Sequence, residues 1–186
     1  MKSAYEKAME RADEVYGTSD KEVNSLEIRE ELKKIMAPYF KEEMDAEELW
    51  HELKDKNKDY LKEAQLMLIE SIGLRNSSDQ IKRRKEAVVA VEQLKEGGNT
   101  TFFEKQFTQA QSLQQQYKTQ KKQLDEQVKQ HLEQSQGQSL QGRGSEGQNG
   151  MNAQMRQQLA QKVSEFQENF NERFNKVIDK MKDEIE

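Results

Sequence analysis

Two clusters in this chain have residue types and spacing that suit chemistry. The first is Glu48-Leu49-Trp50-His51. On a helix, positions three apart share a face, so Glu48 and His51 would offer a carboxylate and an imidazole together. Di-iron carboxylate bundles build part of their ligand set this way. Such a centre also needs a second pair of this kind and two further glutamates. His131 is the only other histidine, and Val128 stands three residues before it. No metal centre is expected, and the pair reads as polar surface near a helix start.

The second cluster is Lys82-Arg83-Arg84-Lys85, with Arg75 and Lys95 nearby. Phosphate contacts from these side chains would give salt-sensitive nucleic-acid binding. Four consecutive residues spread around a full helical turn, however, and no aromatic or glycine-rich partner interleaves them. The expected role is a solvated helix surface facing an acidic N-terminal quarter. Catalysis has less support. The chain has no Cys and two His, and its Ser and Asp residues are not grouped as a nucleophile with its base. Its glycines cluster in connectors, not between a strand and a helix where they would cradle phosphate. Neither an enzyme nor a cofactor is expected.

The strongest pattern is apolar. Met155, Leu159, Val163, Phe166, Phe170, Phe174, Val177, Met181 and Ile185 follow one another at spacings of 4, 4 and 3. An eleven-residue repeat of about 3.67 residues per turn keeps one stripe along a nearly straight helix. One helix cannot shield such a stripe, so it must pack on a partner. The Phe166, Phe170 and Phe174 ladder suits either a hairpin or oligomer core, which is the favoured reading, or a groove for a client helix. A weaker seam precedes it, through Phe103, Phe107, Ala110, Gln114, Tyr117, Lys121, Leu124, Val128 and His131. Its three polar positions make it a poor heptad.

The elements that carry these patterns are helical. Ser3 to Tyr16 is predicted as a first helix, stopped by Gly17. Ser19 with Glu22 opens a second, which runs to about Ala37, where Pro38 ends or bends it. Asp45 with Glu48 caps a third, predicted to reach Ile72, and Ser77 or Ser78 starts a fourth. Gly97-Gly98 is a firm break. Beyond it, Thr101 with Glu104 reads as another capping box. Twelve Gln then fall between Thr101 and Gln136. Residues 135–150 contain five Gly and read as a flexible Gly/Gln-rich connector. The expected organisation is all-α. A helical region of about four helices occupies 1–98, and two long helices over 99–186 form an antiparallel hairpin or coiled coil.

Composition agrees. Hydrophobic residues make up 33% and charged residues 35% of the chain, so it can fold if its apolar side chains sit on narrow stripes, the alternative being that part of it is disordered. Residues 1–50 hold 14 acidic and 8 basic side chains, whereas 51–186 hold 21 and 22. The acidic excess therefore sits in the first quarter, and no polyanion partner is implied. No apolar run, Leu66 to Ile69 included, approaches membrane-spanning length. The opening residues lack an apolar core for secretion. A cytoplasmic protein with no membrane partner is expected.

The opening Met1-Lys2-Ser3-Ala4-Tyr5-Glu6-Lys7-Ala8-Met9-Glu10-Arg11-Ala12 resembles the start of an uncharacterised bacterial family of small helical proteins. Leu61-Lys62-Glu63-Ala64, Ile69-Glu70 and Ile72-Gly73-Leu74 fit the same outline. The resemblance covers roughly residues 1–95 and implies a bacterial, cytosolic, helical protein without an assigned activity. The function expected from the residues is a non-enzymatic interaction or scaffold protein. It would self-associate through the nine-residue stripe. The alternatives are a chaperone- or adaptor-like hairpin that binds another helical protein, and a nucleic-acid-associated protein using Lys82, Arg83, Arg84 and Lys85.

Overall fold

The computed structural model describes residues 25–139 and 147–185, and side chains outside 131–153, 155 and 156. The helix predicted over Ser3 to Tyr16 and the Ser19–Glu22 box lie outside the described residues. Six helices and no strand occur among those described. They are α1 (25–40), α2 (Ala46–Leu53), α3 (Lys58–Glu70), α4 (Ser78–Glu92), α5 (Thr100–Ser139) and α6 (Gly147–Ile185).

Local chemistry sets most boundaries. Asp45 caps α2 by accepting from the amides of Glu47 and Glu48, while the Glu48 carboxylate accepts from the Asp45 amide. Ser77 and Gln80 make the same reciprocal arrangement at α4. Each pair satisfies amides that the first helical turn leaves without a partner. Pro38 does not stop α1, which continues to residue 40. The chain then reverses through Glu42 at φ 66°, and the Glu43 amide donates to the Pro38 carbonyl at 2.9 Å. That is a left-handed helix end without the usual glycine.

The single helix expected from Asp45 to Ile72 is two. Asn57 accepts from the amides of Asp59 and Tyr60 and restarts the chain as α3. An Asn side chain that captures nearby amides competes with continued helix. At α5, Asn99 accepts from the Phe102 amide at 3.2 Å. Asn99 therefore does the capping expected of Thr101 and Glu104. The long helices also enter the predicted connector: α5 continues through Ser139 and α6 begins at Gly147. Once nucleated, a helix extends readily through Gln-rich sequence. Of the connector, residues 140–146 lie outside the described residues.

Helices α3, α4, α5 and α6 pack in a ring: α3 on α4, α4 on α5, α5 on α6, and α6 back on α3. Helix α2 lies against α4. Helix α1 is tied to α3 through Arg29 and Glu63, and to α4 through Tyr39 and Arg83. One apolar core runs through the bundle. It takes Leu32 and Met36 from α1, Leu68 from α3, Val88 from α4, Phe103 and Phe107 from α5, and Phe174 and Met181 from α6. The regions read as 1–98 and 99–186 thus share a single core. The 15 residues of α4 span roughly 22 Å, against roughly 60 Å for the 40 of α5. The far half of the α5–α6 hairpin therefore extends beyond the bundle as an arm.

Candidate functional site

The two long helices run antiparallel. Asn99 donates to Glu184 at 2.8 Å, and Arg173 donates to Gln116 at 3.2 Å. Tyr117 stacks on Phe166, with ring centroids 5.5 Å apart and planes 14° from parallel. It also meets Phe170 edge-on at 5.5 Å. The guanidinium of Arg173 lies over the Phe170 ring at 5.1 Å. These rings mark where the core ends.

The stripe divides at this point. Phe170, Phe174, Val177, Met181 and Ile185 are buried inside this chain, together with Ile178. Phe166 is half-buried against the core. Val163 and Leu159 are half-exposed and do not belong to the core, and the Met155 side chain lies outside the described residues. The weaker seam on α5 divides at the same level. Phe103, Phe107, Ala110, Gln114 and Tyr117 are buried. Beyond them, Lys121 is exposed, Leu124 and Val128 are half-exposed, and the His131 side chain lies outside the described residues. No residue is buried over 118–130 or 157–165. An open groove of about 360 Å³ runs along this part of α5, lined by Lys118, Lys121, Lys122, Asp125, Glu126 and Lys129.

Two of the four residues in the basic run are engaged inside the protein. Arg83 donates through Nη2 to the carbonyls of Tyr39, at 3.3 Å, and Met44, at 2.8 Å. A cation suits the Tyr39 carbonyl, which sits at the negative end of α1. The Tyr39 hydroxyl donates in return to the Arg83 carbonyl, and burial pushes its pKa up to about 12. Arg84 donates through Nε to Ser71 Oγ at 2.7 Å and lies over the Phe40 ring at 4.5 Å. Lys82 is exposed, with Glu86 at 3.9 Å, and Lys85 is half-buried. The run therefore joins α4 to the end of α1 and presents no four-residue phosphate cradle. Glu48 caps its own helix, and the His51 ring sits edge-on to Trp50 at 5.0 Å. Among the described residues no group of three or more His, Cys, Asp or Glu could hold a metal.

Sequence reading missed a buried polar junction. Glu92 is 5% exposed and accepts from the Asn99 amide at 2.8 Å, from Gln65 at 2.7 Å and from Lys95 at 3.2 Å. Burial works to raise its pKa, but the bonds from Gln65 and Asn99 and the Lys95 charge outweigh it, and the carboxyl lies below its ordinary value. This one side chain joins α3, α4 and the start of α5. Gly98 is required beside it, because a Cβ there would lie 2.3 Å from the Glu92 carbonyl oxygen. Ser77 was legible in the sequence only as one of two candidate helix starts, Ser77 or Ser78. The non-local contacts of Gln65 and Glu92, 27 positions apart, left no such periodic trace.

The fold and its projecting site define an all-α protein: a small helical bundle with a two-helix arm. Residues 46–186 match the family model DUF6657, a family of unknown function, and the chain belongs to that family. The match begins at Ala46 and includes both long helices, a part that the resemblance read from the opening residues did not reach. No curated protein and no solved structure matches the chain. Among the described residues, no helix is long and apolar enough to cross a membrane.

Proposed function

We propose that this is a non-enzymatic, cytoplasmic interaction protein whose binding element is the arm of the α5–α6 hairpin. The partner is another helical surface, supplied by a second copy or by a different protein. The observation that carries this reading is the division of the stripe. Its lower half closes the core, while Leu124, Val128, Leu159 and Val163 continue the apolar pattern where nothing is buried. Helices with such a pattern gain most of their stability from packing, and a helix-in-groove contact would supply it. The nucleic-acid alternative loses support because Arg83 and Arg84 are already bonded within the fold.

Site-specific photo-crosslinking in the native cell tests the proposal. A photoreactive residue at position 124 or 159 should give discrete protein adducts, and one at exposed Asp179 should not. If the arm positions yield no adducts above the Asp179 control, the arm is not a binding element.

A further inference from the structure

We draw no further inference here: the strongest candidate, the half-exposed apolar face of the α5–α6 arm at Leu124, Val128, Leu159 and Val163, carries nothing because nothing in the structure shows what covers it.

Discussion

Single residues in this protein hold the junctions between its helices. Glu42 adopts φ 66° at the end of α1, where a side chain is disfavoured by roughly 1–2 kcal/mol. Glu42→Gly should therefore raise stability by about 0.5–1 kcal/mol, read as a higher urea midpoint with an unchanged slope. Glu92 works in the opposite direction. Its Gln variant keeps the shape but loses the charge that Asn99, Gln65 and Lys95 surround, at a cost of about 1–3 kcal/mol near neutral pH. The sign of the pH dependence follows from the lowered carboxyl pKa. A group depressed by folding stabilises fully above its unfolded value and loses that contribution as pH falls through the folded value. The gap between wild type and Glu92→Gln should thus narrow in urea titrations as pH drops below the ordinary carboxylate range. A gap that stays constant with pH would show that the Glu92 charge is not the source.

Among the elements, α6 has two characters along one stripe. Phe170 is 2% exposed and ringed by Tyr117, Phe166 and Arg173. Phe170→Ala should cost about 3–5 kcal/mol. Val163 sits seven residues earlier, outside the core, and Val163→Ala should cost under about 1 kcal/mol in the monomer. Thermal melts at low protein concentration separate the two, and equal shifts would contradict the division. This division was not legible in the sequence, because the repeat from Leu159 to Ile185 is regular throughout. Periodicity records which face is apolar; the tertiary fold decides how much of that face finds a neighbour. Capping was more legible, since Asp45 with Glu48 is a local, three-residue arrangement. The break between α2 and α3 was not, because Leu49, Leu53 and Leu61 keep an apolar face running across it.

At the scale of the molecule, the glycine pair at 97–98 divides the composition but not the core. Sequence reading placed a boundary there because the Gln content changes. Yet Phe103, Phe107, Phe174 and Met181 fill the same interior as Leu32, Leu68 and Val88. Residues 1–98 alone would expose that interior, and a chain so short of apolar residues has little with which to replace it. The isolated segment should lack a cooperative thermal transition by circular dichroism, while the full chain should show one. A sharp melt from the segment would mean that it folds without the long helices.

Helix α5 contains neither Gly nor Pro from Thr100 to Gln136, and its first turns are clamped between α4 and α6. A helix without such breaks has no natural kink, so the arm behaves as a ruler. It fixes both the distance and the compass bearing of its far turns from the bundle. Removing seven residues from each helix of the arm would shorten the ruler by roughly 10 Å and turn it by only about 20°. Removing four would shorten it by roughly 6 Å and rotate it by about 40°. Distances measured between spin labels on the bundle and near the tip should follow these steps.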